Sequence, residues 1–240
     1  MNINEFLDAI LSFYVYKKFF GFRKYFIFYL KNLRTTNKKN LFKQIERLTL
    51  ELQYKITIFT TGTFIKENSS FVKDLYALGH EIGYHSYSHV SSLSRNKIDF
   101  NDDLVKGKEL FNKMDITCNG YRSPHLLFDD SHYSILKDNG FKYSSSKYTD
   151  ARIYQPFDDF YEIPVNFFDI FDFKGKMNDI SLKERIKNSS VQLYHPYWLF
   201  SERYREYLFK TLSSVDIKSV TLSDYLNNKK GICITLDLNL

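Results

Sequence analysis

The stretch ITIFTTGTFIKENSSFVKDLYALGHEIGYHSYSH, residues 56–89, carries the architecture. It opens on a β-branched apolar run, passes Gly62, and then shows helical spacing of apolar residues between Ser69 and Leu78. Gly79 is placed to stop that helix, and a second apolar run, EIGYH at 81–85, follows at once. Strand, helix and strand in quick succession are the sequence form of two parallel strands joined by a crossover helix.

The alternation extends to both sides. KYFIFYL (24–30) reads as a buried strand, KNLFKQIERLTLELQ (39–53) as an amphipathic helix and KITIFTTG (55–62) as the next strand. Downstream, FNDDLVKGKELFNKM (100–114) is helical and TCNGYRS (117–123) is a strand with its exit. DDSHYSILKDNG (129–140) starts with acidic residues, ends in Gly140 and leads to a strand, FKYSSS. FYEIPV, VQLYHP and KSVTL read as later strands. So many repeats within 240 residues predict an α/β fold, an irregular (β/α) barrel, closed or nearly so. No Pro/Gly-rich or low-complexity break divides the chain, so one domain over residues 1–240 is expected. In such barrels chemistry sits at the carboxyl ends of the strands. His85, Arg122, Ser144 to Ser146 and His195 all fall there. Their recurrence at one place in successive repeats weighs more than any single residue.

Composition narrows the function classes. Aromatics are 18% of the chain, with 23 Phe and 19 Tyr, ample for a core and suited to lining a sugar groove. The formal charge of +6 has its basic residues early, at Lys17, Lys18, Arg23, Lys24 and KNLRTTNKKN (31–40). No zinc finger, RNA-binding signature or Gly-rich phosphate loop accompanies them, so no nucleic-acid partner is expected. Cys118 and Cys233 form no CxxC pair, which argues against a disulfide framework or a cysteine zinc site and for thiols in a reducing compartment. AILSFYVY near the start is too short to span a bilayer, and no small-residue cleavage site follows it. No membrane span is expected, and cytoplasmic residence is the default.

The histidines admit two pairings. HEIGYH fails the metalloprotease pattern, because His80 and His85 are five apart with Gly83 between and would sit on different helix faces. His85 and His89, four apart in HSYSH, share a face if the segment turns helically, and can then share a metal ion. His80 belongs to the helix-to-strand turn and is structural.

Residues 56–89 closely resemble the polysaccharide deacetylases of the NodB homology class, carbohydrate esterase family four. GYRSPHLLFDDSHYSILKDNGFKYSSS (120–146), YEIPV (161–165) and LYHPYW (193–198) resemble later blocks of the same family, so the resemblance runs from about residue 55 to about 226. It implies a NodB-type barrel, and metal-assisted hydrolysis of N-acetyl groups on an acylated carbohydrate. His85 and His89 would be ligands of a divalent metal, usually zinc. Arg122 would orient a carboxylate, His195 would protonate the leaving amine, and Tyr121, Pro124 and Trp198 would line the sugar site.

The family also has a first-strand motif, Thr-Phe-Asp-Asp, supplying a base and a third metal ligand. Leu30, Lys31 or Asn32 stands where it is expected, and no Asp or Glu lies between Asp8 and Glu46. Two imidazoles without a carboxylate make a poor site for a divalent cation, and Lys31 would repel one. The expected metal is therefore weakly held or absent, and Arg122 lacks its anionic partner. Three explanations follow: a degenerate deacetylase, impaired or catalytically inactive, that keeps the fold and a groove for carbohydrate or a partner; an active hydrolase with a substitute carboxylate such as Glu162, Asp169 or Asp172; or residues 1–35 that are not native to the family.

Overall fold

The computed structural model describes residues 38–51, 53–169, 180–195, 202–214 and 218–238. The strand expected at 24–30 and Trp198 lie outside them. The chain runs through α1 (Lys38–Glu51), β1 (Thr57–Thr60), α2 (Gly62–Glu67), α3 (Ser69–Ala77) and β2 (Glu81–Tyr84). All residues of β1 and β2 are buried, which is why both read as continuous apolar runs and not as alternation. α2, passed over in the sequence, starts where the Thr61 hydroxyl accepts from the Phe64 amide. Gly79 has φ +83°, a left-handed conformation that ends α3 at little steric cost.

α4 (Lys97–Met114), β3 (Gly120–Tyr121), α5 (Tyr133–Asp138), β4 (Tyr143–Ser144), β5 (Tyr154–Phe157), β6 (Phe160–Glu162) and β7 (Phe167–Phe168) follow. The chain then forms α6 (Ile180–Asn188), β8 (Val191–Tyr194), α7 (Glu202–Ser213), α8 (Leu222–Leu226) and β9 (Cys233–Leu238). Among the described residues nine strands form one sheet in the order β5-β6-β4-β3-β2-β1-β9-β8-β7. All neighbours are parallel except the β5–β6 pair. The sheet curls into a half-barrel with helices, the irregular barrel expected from the repeats.

Two corrections concern its end. KSVTL is not a strand: Ser219 makes one isolated bridge to Ile232, and Thr221 then caps α8 through its side chain. The last strand is instead β9, inserted between β1 and β8 with Phe59 of β1 opposite Asp237. The reason is legible afterwards. GICITLDL puts a β-branched and apolar run after Gly231, with Thr235 and Asp237 alternating against the buried core residues Ile234, Leu236 and Leu238.

His80 occupies the turn before β2, as expected. Its Nδ1 accepts from the Ile56 amide at 3.4 Å, while Nε2 is buried with no hydrogen-bond partner among the described residues. Burial, then the nearby Lys55 charge, lowers its pKa to about 4. Between the ordinary histidine pKa and that value the unfolded chain binds a proton that the folded chain refuses. Stability therefore falls on acidification across this window, by on the order of 3 kcal/mol from this group alone. Urea unfolding of the wild type and of His80→Gln at pH 7 and pH 4.5 measures the difference. The variant should show a flatter pH dependence, and parallel curves would remove His80 as the cause.

Candidate functional site

The site is assembled just past the carboxyl ends of β2, β3 and β8, with β9 completing it. Arg122, one residue beyond β3, is fully buried. Its Nε donates to Ser145 O at 2.8 Å and its Nη2 to Ser145 Oγ at 2.8 Å. Its Nη1 donates to Thr235 Oγ1 at 2.7 Å and to Asp237 Oδ1 at 3.0 Å. The guanidinium lies 4.2 Å from the centre of the Phe59 ring. Phe59 in turn requires Gly83, where a Cβ would stand 2.6 Å from the ring. The anionic partner that Arg122 was expected to lack is thus present, and it comes from the other end of the chain.

His85 follows β2 and is also buried. Its Nδ1 lies 2.9 Å from Arg122 O. A carbonyl only accepts, so that nitrogen carries the proton and Nε2 presents a lone pair. Nε2 faces Asp237 Oδ2 at 3.6 Å. Burial lowers the pKa of His85, outweighing the opposing pull of Asp237, so the ring is neutral. Two acceptors then look at each other across a gap.

The segment after His85 does not turn helically, contrary to expectation. Ser86 and His89 each have φ +60°, and this bent loop brings the His85 and His89 rings to 5.0 Å between centres. Left-handed backbone at a residue with a side chain costs about 1–2 kcal/mol, so the surroundings must hold it. They do. The Tyr87 amide donates to Asp103 Oδ1 at 2.9 Å, Arg95 Nη1 pairs with the same oxygen at 2.7 Å, and the Gly62 amide donates to Ser86 O at 3.0 Å. Enclosure, and then the neighbouring imidazoles of His125, His85 and His195, push the pKa of His89 well below its ordinary value.

His195 follows β8. Its Nδ1 lies 2.8 Å from Asp169 Oδ1, and its backbone amide donates to Asp169 Oδ2 at 2.6 Å. Burial pulls its pKa down, but the Asp169 charge and hydrogen bond and then Asp237 overcome this, and the net direction is up. The site thus holds two neutral imidazoles beside one biased toward the protonated form, a division that acid–base chemistry uses.

Other expected residues fall elsewhere. Tyr121 is fully buried in an aromatic cluster with Tyr84, Phe100, Phe128 and Phe141, so it is core and not a sugar contact. Pro124 is buried at the start of a short 3₁₀ turn, Pro124–Leu126, and shapes that turn. Glu162, considered as a substitute carboxylate, accepts from Tyr133 Oη at 3.1 Å and from the amides of Ser146 at 2.8 Å and Lys147 at 3.1 Å, so it braces the loop after β4. Asp169 is committed to His195, and Asp172 lies outside the described residues. Asp237 was missed altogether, because β9 was not recognised as a strand.

A divalent metal is implied by the resemblance. Two donors stand near the spacing of ligands on one ion, with the His85 Nε2 lone pair 3.6 Å from Asp237 Oδ2. The arrangement is a ligand short, since among the described residues no group of three or more His, Cys, Asp or Glu is set to hold a metal ion.

Comparison with known proteins bears on the family and the fold. Residues 36–144 match the family model for polysaccharide deacetylase. The chain is 29% identical over 97 residues to a peptidoglycan-N-acetylglucosamine deacetylase from Bacillus cereus, covering 40% of this chain and 46% of that one. It is 33% identical over 93 residues to a peptidoglycan deacetylase from Helicobacter pylori, covering 38% and 31%. The chain thus spans less than half the length of these two relatives. Among solved structures, a Mycobacterium smegmatis protein assigned as a polysaccharide deacetylase superposes with a TM-score of 0.65 at 20% identity, covering 78% of this chain and 76% of that one. A pseudoenzyme of carbohydrate esterase family four from Bacillus anthracis superposes with a TM-score of 0.59 at 18% identity, covering 82% and 64%. Residues 36–144 are similar to the polysaccharide deacetylases, and the fold built around them is that of the solved structures of that type.

Proposed function

We propose that the chain hydrolyses N-acetyl groups on a sugar, with Asp237 as the carboxylate that activates water and His195 as the acid that protonates the leaving amine. The observation that carries this reading is the Arg122–Asp237–His85 constellation at the strand ends. Thr235-Leu236-Asp237-Leu238 keeps the Thr and one Asp of the family's Thr-Phe-Asp-Asp motif and has Leu238 in place of the other. The Asp pair sought before residue 46 is therefore half supplied by β9. The substrate class follows from the names of the relatives: a glycan containing N-acetylglucosamine.

In this mechanism Arg122 pins one oxygen of Asp237, which leaves the other to take a proton from water as it attacks the acyl carbon. Collapse of the tetrahedral intermediate expels the amine, and His195, oriented through Nδ1 by Asp169, delivers a proton to it from Nε2. A divalent ion bound by His85 and His89 would polarise the acyl carbonyl and acidify the attacking water. The absence of a second acidic residue at Leu238 weakens that ion site, so the rate is expected to be lower than in a chain with both carboxylates. Cytoplasmic residence stays part of the reading, supported by the two unbridged, buried thiols Cys118 and Cys233. The alternative, a domain that binds glycan without hydrolysing it, draws its support from the same Leu238.

Acetate released from N-acetylglucosamine oligomers tests the reading. His195→Gln should lower the rate about hundredfold to ten-thousandfold. The pH profile gives a second readout. His195 must be protonated to act as the acid, so kcat/KM falls as pH rises through its raised pKa. Asp169→Asn removes its strongest raising influence, so this alkaline limb should move to lower pH. A limb that stays in place in Asp169→Asn would assign the acid to another group. The stability linkage has the same sign: the His195–Asp169 contribution is full below the ordinary histidine pKa and is lost as pH rises through the raised one.

A further inference from the structure

A cavity of about 480 Å³ opens on the flank of α4, and none of His85, Arg122, His195 or Asp237 lines it. Its size falls within the range of about 300–1,000 Å³ usual for small-molecule pockets. One wall is Tyr87, Ser88 and Val90, from the loop that follows His85. The Tyr87 ring is seated against Gly62, where a Cβ would overlap it, so its place is fixed. The other wall is α4, where Asp99, Asp102, Asp103 and Lys106 stand at i, i+3, i+4 and i+7 and so share one helix face. Arg95, just before the helix, completes the lining. Charges on a helix face are ordinarily solvated, but the Asp103 side chain is only 3% exposed. Its Oδ1 accepts from the Tyr87 amide and pairs with Arg95. Its Oδ2 is buried with no hydrogen-bond partner among the described residues. A buried carboxylate oxygen without a donor is costly and uncommon in a folded protein. A ligand that brings a donor into the cavity supplies what the chain leaves out.

We propose that this cavity binds a neutral sugar residue of the glycan, as a subsite separate from the strand ends where the acetyl group is cleaved. The lining decides the ligand class. Three carboxylates repel an anion, while Arg95 and Lys106 repel an ammonium group. Neighbouring sugar hydroxyls both donate and accept. They can donate to Asp103 Oδ2 and Asp102 and accept from Lys106 and the Tyr87 hydroxyl, so one ring answers both kinds of partner. Asp102 and Lys106 are exposed and available to a ligand. The Tyr87 ring, partly exposed, offers an apolar face beside them. The inference shares its substrate class, a glycan, with the proposed function but does not need hydrolysis.

The N-acetylglucosamine tetramer is the probe, titrated by calorimetry and by amide NMR into the full chain carrying His195→Gln, which slows consumption of the glycan. The backbone amides of residues 87–90 and 99–106 should shift on binding. Asp102→Ala and Lys106→Ala lie on an exposed helix face and leave the bracing of the loop by Asp103 in place. Each should weaken binding about tenfold, the effect of losing one hydrogen bond to a charged group. Shifts confined to the surroundings of His85, Arg122 and Asp237, equal affinity in the double variant, or no binding at all would overturn the subsite. A glucosamine tetramer that binds more tightly than the N-acetylated one, with the same α4 shifts, would overturn the neutral-sugar assignment in favour of an ammonium group. Acetate release by the wild type with α4 unmoved would also overturn the subsite while leaving the hydrolase reading standing. Shifts at α4 without acetate release by the wild type would uphold the subsite and count against hydrolysis.

Discussion

Asp237→Asn should lower acetate release about hundredfold to ten-thousandfold, the usual contribution of a positioned general base. The substitution is nearly isosteric. An Asn oxygen can still accept from Arg122 Nη1, which now sits 3.0 Å from Asp237 Oδ1, and Thr235 Oγ1 continues to hold the guanidinium at 2.7 Å. What disappears is the negative charge facing His85 Nε2 and the ability to take a proton from water. The rate loss should therefore appear in protein whose circular dichroism matches the wild type. An unchanged rate would show that the carboxylate from β9 serves Arg122 alone and that hydrolysis uses another base.

Arg122→Met should lower the unfolding free energy by about 3–5 kcal/mol, the cost of leaving one member of a buried ion pair without its partner. Arg122 is fully buried and Asp237 nearly so, and the guanidinium also satisfies Ser145 O, Ser145 Oγ and Thr235 Oγ1. Those acceptors would lose a donor together. Asp237→Leu alone should also destabilise, by stranding the guanidinium. The double variant should recover part of the combined loss, because it leaves no buried charge unpaired. Urea unfolding of the four proteins measures the coupling. Strictly additive losses would mean that the two residues stabilise the fold independently, and the link between β3 and β9 would have to be sought elsewhere.

Most of the architecture was legible because buried parallel strands write themselves as short apolar runs. IFT of β1 and EIGY of β2 are buried throughout and could not be mistaken for loop. The helix ends were legible for a related reason: Gly79 and Gly140 take positive φ where α3 and α5 stop. The end of the chain was misread because KSVTL and ICITLDL carry the same β-branched signal. Only tertiary pairing between β1 and β8 chooses the second. That single choice hid Asp237, since a carboxylate is informative only once its strand is placed.

Within the site, His85, Arg122 and His195 were legible because each directly follows a strand. The partnership of His195 with Asp169 was not, as β7 and β8 become neighbours only in the sheet. The helical face invoked for His85 and His89 was the wrong means to the right contact. Spacing of four suggested a helix, whereas Ser86 and His89 in left-handed backbone make the turn. Tyr121 shows the opposite failure. The resemblance implied a role at the sugar site, but strand alternation sends neighbouring side chains to opposite faces, and Tyr121 points into the aromatic core.

The most direct test of the account is a carbon-13 NMR time course of the wild-type protein with an N-acetylglucosamine oligomer labelled in its acetyl groups, in the presence of zinc. The account predicts a growing resonance of free acetate, matched by loss of the N-acetyl signal and the appearance of a free amine. Broadened or shifted substrate resonances with no acetate would contradict it, and would make this domain a glycan binder that keeps the Arg122–Asp237 pair for its fold alone.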